Sequence, residues 1–369
     1  MNCTQDFYLL PIPGTLEVNE SVIVAVMMVF RSFYTPIHPY LLVTTSLFSF
    51  FSNILILIVL SRKEMRKSGI NVTMMFIAFC DFGYSGFALI KMITDRTVEK
   101  RTFPLVFFQL IGTYSSVSFH AASLFLAVSM AFCRVMSLKI TKKSNKIWNS
   151  PRYAVIISSF LVLLSFLTTL FMPFMLLISP SGTNEFVLKT NPLFLQDNCL
   201  LIRATQLLNA FWFKGFPCFS MSVLSVILLI NLEEGKKSQK LANSNSLETS
   251  EMMSRSSRLV IRILIVFLLT EIPQAFIALF GGFFYIDYIR YVLPTFGDLT
   301  YMLALINSSV AFVFYSILSS KFRRTFCHVF VPKQLERWIF KDVKKGAPAT
   351  SQSSSTQQRH FMVSNGTRN

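Results

Sequence analysis

Seven stretches of this chain are apolar for long enough to cross a bilayer: Tyr40–Leu60, Ile70–Ile93, Leu105–Leu138, Tyr153–Ile178, Leu207–Leu232, Leu259–Phe284 and Tyr291–Leu318. About 20 such residues in a helix cover a hydrocarbon core of ~30 Å. Within that core each segment must satisfy its own backbone N–H and C=O groups, which selects helices. The expected fold is an all-α membrane protein, a seven-transmembrane helix bundle over 40–318. Composition agrees, with 53% hydrophobic and 14% charged residues, against about 25% charged in soluble domains. Val22–Phe30 is also apolar but reads as too short to span, so 1–39 is expected as an N-terminal segment outside the bundle.

The formal net charge is +17. In a soluble chain that would point to nucleic acid; here the positions of the charges point to a membrane instead. The loop "SRKEMRKS" carries Arg62, Lys63, Arg66 and Lys67 against Glu64. The loop from Arg134 to Arg152 has Lys139, Lys142, Lys143 and Lys146 and no acid. The segment after Leu318 is basic, opposed by Glu336 and Asp342. Short basic loops mark the cytoplasmic side. The N-terminus is therefore expected outside and the C-terminus inside, as in a multi-pass plasma-membrane protein. The sequons at Asn2 and Asn19 fall on the outer side and are expected glycosylation sites.

Two cytoplasmic segments read as flexible or surface-bound. The loop Glu233–Met253 is polar and Ser/Asn-rich, and is expected to be a flexible connection. Over 319–332, Phe322, Phe326, Val329 and Phe330 share one helical face and Arg323 and Arg324 lie elsewhere, the pattern of a short amphipathic helix on the membrane surface. Cys327 in that helix is either a palmitoylation site or an unmodified thiol. The remaining tail, 333–369, is low in apolar residues and expected to be largely disordered.

Polar residues inside the spans carry the functional signal, because intramembrane ionisable groups face the bundle interior and pair with something. Asp81 is one. Asn53, Ser123, Asn307 and Ser308 join it in an expected polar cluster. A protonated Asp81 holding helices together and a carboxylate binding Na⁺ or a proton stand as equal readings. The stretch "LLTEIPQAF" is the other strong signal. It places Glu271, Pro273 and Gln274 in the middle of the sixth apolar run. A charge there costs roughly 2.5–3.5 kcal/mol, and a proline removes a backbone hydrogen bond. Something else in the fold has to offset both. The histidines (His38, His120, His328, His360) are scattered without metal-ligand spacing. No catalytic pair stands out either, so neither an enzyme nor a cofactor is expected. A secondary transporter would show paired halves with broken helices, and none is legible.

Asn53, the Asp of "FCDF", the Arg of "CRVMSL" (Arg134), Pro217, Pro273 and Tyr315 occur one per span in the order found in rhodopsin-like G-protein-coupled receptors, which the chain resembles from about Tyr40 to Phe330. The segments "IHPYLL", "VLSRKEMRKSGINV", "FKGFPCFSMSVLSVILLINLEE", "SRLVIRILIVFLLTEIPQAFIAL" and "GDLTYMLALINSSVAFVFYSILSSKFRRTF" are similar to nematode W-class serpentine receptors. They also resemble myosuppressin and FMRFamide-like peptide receptors. The resemblance implies a receptor that passes extracellular peptide binding to a cytoplasmic heterotrimeric G protein. It makes Arg134, Pro217, Pro273 and Tyr315 coupling and activation residues, with Pro273 kinking the sixth helix. It places His120, Glu271, Gln274, Tyr285, Asp298 and Tyr301 at the ligand. A chemosensory receptor for a small environmental molecule is the alternative.

Three departures stand out. The acidic neighbour usual before Arg134 is Cys133, which leaves the arginine without that partner. Ala311 replaces an expected Asn before Tyr315. The third span lacks its usual cysteine near Gln109. Cys199 then either pairs with Cys3, tying the N-terminal segment over the second outer loop, or both remain free thiols.

Overall fold

A computed structural model describes residues 22–98, 100–139, 147–182, 185–241 and 247–332. Among these, seven helices are long and apolar enough to cross a membrane: Val22–Leu60, Gly69–Thr97, Phe103–Ser137, Pro151–Met175, Pro192–Glu234, Ser257–Phe283 and Tyr285–Leu318. They are called the first to seventh spans. The all-α seven-span bundle expected from the sequence is the fold of the chain. Asn2, Cys3, Asn19 and the tail 333–369 lie outside the described residues.

Small side chains let the helices approach. Ser46, Ser49, Ala88, Ala121, Ala122 and Ala127 are buried between spans, the residue type that membrane helix interfaces favour. Hydroxyls add ties across the third and fourth spans. Ser118 Oγ lies 2.6 Å from Thr169 Oγ1, and Tyr114 Oη donates to the Phe166 carbonyl at 2.8 Å. Phe267, Met130, Leu124, Met221 and Leu228 fill the centre and are fully buried.

Several boundaries differ from the sequence reading. The first helix begins at Val22 and runs 39 residues through Pro36 and Pro39 to Leu60. Val22–Phe30 is thus the first part of a continuous helix rather than a separate short segment. At ~1.5 Å per residue that helix is longer than a bilayer core is thick. The fourth helix stops at Thr169; Leu176–Ile178, read as its end, lie in a strand. β1 (Leu176–Pro180) pairs antiparallel with β2 (Phe186–Thr190), Leu176 opposite Thr190 and Pro180 opposite Phe186. Gly182 takes φ +102° at the turn, a conformation open to glycine at little cost. The Phe186 N–H donates to the Arg101 carbonyl at 2.8 Å, anchoring the hairpin beside the start of the third span.

The loop between the fifth and sixth spans is also shorter than expected. Helix continues to Leu241 and resumes at Leu247. The Lys, Gln and Glu residues that make this stretch polar are also good helix formers, which is why helix extends further than its polarity suggests. At the other end of the bundle, Ser320–Phe330 forms the expected helix after the seventh span. Phe322 packs on Tyr315, with ring centroids 5.5 Å apart.

The fifth span carries the largest local irregularity. Asp197, Asn198 and Cys199 all have positive φ, between 49° and 60°. Left-handed backbone costs roughly 1–2 kcal/mol per residue, less for Asp and Asn, so this turn is strained. Further along, Ala210–Gly215 form a π-helical turn directly before Pro217. Proline has no N–H and clashes with the carbonyl four residues back, here that of Phe213. A widened turn at this point relieves that clash.

Candidate functional site

A cavity of about 760 Å³ lies among the second, third, fifth, sixth and seventh spans. It reaches up to Arg101 and to Leu188 of β2, and Lys91, Asp95 and Asp298 line its upper part. It therefore opens at the hairpin end of the bundle. Its floor is formed by His120, Lys214, Gln274 and Ala304. Tyr84 and Tyr301 make one wall, their rings edge-on at 5.8 Å. Lys91 Nζ sits 5.9 Å from the centre of the Tyr301 ring, within cation–π range.

The floor explains the glutamate in the sixth span. Lys214 Nζ donates to Glu271 Oε2 at 2.6 Å and to Gln274 Oε1 at 2.9 Å. It also lies 2.8 Å from His120 Nε2. Asn307 Nδ2 donates to Glu271 Oε1 at 2.9 Å, and Gln274 Nε2 reaches the same oxygen at 3.3 Å. One carboxylate thus joins the third, fifth, sixth and seventh spans. A buried charge is tolerable when it is paired and its remaining lone pairs are hydrogen-bonded, and both conditions hold here. Gln274 also donates to the Thr270 carbonyl at 2.9 Å.

Lys214 is the functional residue that the sequence reading missed. A signal was present: it is the one Lys or Arg in the run Leu207–Leu232, and an intramembrane glutamate calls for an intramembrane cation. The π-helical turn shifts side-chain directions along the fifth span, so a regular 3.6-residue wheel would not have aimed it at Glu271.

Of the residues expected at the ligand, His120, Gln274, Asp298 and Tyr301 line the cavity. Glu271 and Tyr285 do not. The Glu271 side chain is 0% exposed and lies behind Lys214. Its charge is already neutralised, so it cannot serve as an open partner for a ligand cation. Tyr285 is buried in a separate cluster with Met175, Cys199 and Ile202, below the hairpin. Asp298 is an accessible carboxylate, with its side chain 56% exposed, as is Asp95, which accepts from Gln109 Nε2 at 3.3 Å. Asp298 Oδ1 lies 3.7 Å from His38 Nε2 of the first span, and Tyr34 Oη lies 3.1 Å from His38 Nδ1.

The expected polar cluster divides into parts. Asn53 Nδ2 donates to the Ser308 carbonyl at 2.9 Å, and Ser49 Oγ meets Ser308 Oγ at 2.5 Å. Asp81 is hydrogen-bonded to Ser123. Asn307 turns instead to Glu271, whose carboxylate oxygen accepts from its amide. Asn53 Oδ1, Asp81 Oδ2 and Asn307 Oδ1 are buried with no hydrogen-bond partner among the described residues.

At the opposite end of the bundle, Arg134 is buried, and its Nε donates to Ser257 Oγ at 2.8 Å. The expectation of an unpartnered arginine is therefore corrected: a hydroxyl from the sixth span occupies the place of the missing acid. Pro217 follows the π-helical turn and Pro273 lies inside the sixth helix. Cys199 is disulfide-bonded; Cys3, named as its partner, lies outside the described residues. Cys327 is in no disulfide.

Seven spans around a ligand-sized cavity with a polar floor, and a buried arginine tied to the sixth span at the far end, have the architecture of a seven-transmembrane receptor. The model of the family described as "Serpentine type 7TM GPCR chemoreceptor Srw" matches residues 38–333, and the chain belongs to this family. It is also similar to the "G-protein coupled receptor dmsr-1" of Caenorhabditis elegans, at 23% identity over 375 residues, covering 86% of this chain and 72% of that protein. The protein is thus a multi-pass G-protein-coupled receptor, whose family acts by binding a ligand and engaging a G protein.

Proposed function

We propose that the receptor binds an extracellular neuropeptide of the FMRFamide-like or myosuppressin-like kind and passes that event to a heterotrimeric G protein. The hairpin end of the bundle faces outside and the Arg134 end faces the cytoplasm, in keeping with the basic loops. The carrying observation is the placement of charge in the cavity, whose mouth carries Asp298 and Asp95 beside Lys91 and Arg101. Asp298 at the mouth is an accessible carboxylate. Lys214 and Glu271 cancel at the floor. A ligand with a guanidinium near a neutral, amidated end matches both: the cation pairs with Asp298, and the amide enters a floor without net charge. We further propose Cys3 as the partner in the Cys199 disulfide.

Chemosensing of a small molecule is the second reading. It is favoured by the cavity volume of about 760 Å³, within the ordinary range of small-ligand sites. A panel of amidated peptides and a panel of small volatile and water-soluble compounds, applied to cells expressing the receptor with a G-protein dissociation readout, separates the two. On the peptide reading an Arg-containing amidated peptide activates, and Asp298→Asn moves its dose–response curve at least tenfold to higher concentration, a loss of about 1.4 kcal/mol or more. Activation by small molecules alone would overturn it.

The unpartnered oxygens of Asp81, Asn53 and Asn307 are hard donors of the kind Na⁺ takes. A sodium role would make agonist affinity depend on NaCl when compared with a non-sodium salt at equal ionic strength. Equal affinity in both salts removes that role and leaves the hydrogen bonds of Asp81 and Asn53 as structural.

A further inference from the structure

Lys214 occupies a place that no other member of its network shares. An ammonium has three donors and no acceptor, and here all three are taken, by Glu271, His120 and Gln274. His120 Nε2 must accept from it, so the imidazole proton is on Nδ1. Lys214 itself lines the cavity, whereas Glu271 is sealed behind it. An acceptor arriving from the cavity therefore meets the ammonium first, and it can bond there only by displacing one of the three present partners. Each of those partners lies on another span: His120 on the third, Glu271 and Gln274 on the sixth.

We propose that Lys214 is an agonist subsite for a hydrogen-bond-accepting oxygen, a carbonyl or carboxylate, and that occupying it loosens the tie between the fifth and sixth spans. The inference rests on the reading of this cavity as the ligand site, but not on the ligand being a peptide. In the unliganded receptor the Lys214–Glu271 pair holds the sixth helix against the fifth. An entering oxygen draws the ammonium toward the cavity. Glu271 then keeps Asn307 and Gln274 as partners, and the sixth helix is freed from the fifth at mid-membrane.

Two variants test this without a natural ligand. In Lys214→Cys the tie is absent, so basal G-protein signalling per surface receptor rises several-fold. Reaction of that thiol with 2-aminoethyl methanethiosulfonate restores an ammonium on a chain of similar reach, and basal signalling falls. The 2-sulfonatoethyl reagent restores no cation, and signalling stays high. In Val117→Cys, one turn nearer the mouth than His120 on the cavity wall, the sulfonate reagent delivers a tethered acceptor above Lys214. Signalling then rises relative to the same variant before treatment, while the trimethylammonium-ethyl reagent produces no rise. The parent receptor, treated alongside, reports any effect through native thiols. Should Lys214→Cys not reach the surface, the exchange Lys214→Glu with Glu271→Lys replaces it, and basal signalling as low as the parent's is expected. Basal signalling unchanged in Lys214→Cys, no fall with the aminoethyl reagent, high signalling in the exchanged pair, or no rise with a sulfonate at position 117 would each overturn the proposal. A failed peptide panel would leave all of these readouts standing, so the two claims fail separately.

Discussion

Glu271 shows how much of a membrane protein's function depends on one compensated charge. Its carboxylate is fully buried, and Lys214, Asn307 and Gln274 satisfy it. Removing one member of such a pair strands the other. Glu271→Gln keeps an acceptor near Lys214 but leaves its ammonium without a countercharge, and should destabilise the receptor by about 3–5 kcal/mol. Lys214→Met combined with Glu271→Gln removes both charges, and should recover most of that loss, since replacing a whole buried pair is often near neutral. Thermal unfolding of the purified receptor in detergent measures both. Equal destabilisation in the single and double variants would mean that the pair contributes through shape rather than charge. The sequence announced Glu271 plainly, because a glutamate in an apolar run has no bland explanation. It did not announce Lys214 as the partner, since the pairing depends on a π-helical turn that no helical periodicity encodes. Asn307 was legible as an intramembrane polar residue, but its choice of Glu271 over Asp81 depends on rotamers and on the placement of the sixth helix beside the seventh.

At the scale of elements, two features set how the helices can move relative to one another. The π-helical turn before Pro217 aims Lys214 at the sixth span. Near the far end, Arg134 of the third span holds Ser257 of the sixth. A hydroxyl accepting from a guanidinium gives a charge-assisted bond, so it can act in place of the absent acid. Ser257→Ala removes that acceptor and should raise basal signalling severalfold at unchanged surface density, read as ligand-free G-protein activation. Basal signalling at the parent's level would show that other contacts of Arg134 are sufficient. Element existence was readable throughout: the seven apolar runs correspond to the seven spans. Boundaries were not. Pro36 and Pro39 sit inside the first helix although proline usually ends one, and the end of the fourth apolar run pairs as a strand because β2 is there to receive it. Neither outcome is a local property of the residues concerned.

For the whole molecule, the cavity at the hairpin end and the Arg134–Ser257 contact are both joined to the sixth span, Glu271 and Gln274 at one level and Ser257 nearer the other end. On the proposed mechanism, that helix is the element through which the occupied cavity acts on a G protein. A ligand shifts such an equilibrium only as far as it distinguishes the two states, and the proposal puts the distinguishing contact at Lys214. The most direct measurement is the distance between spin labels at Arg62, in the loop after the first span, and Arg258, at the start of the sixth; both side chains are exposed. It is taken by pulsed electron paramagnetic resonance on receptor in lipid nanodiscs. With Lys214 intact the distribution should centre on a short distance. With Lys214→Met a second, longer population should appear, and a bound G protein should enlarge it. A single unchanged distribution in Lys214→Met, alone and with G protein, would contradict the coupling of this cavity to the sixth helix.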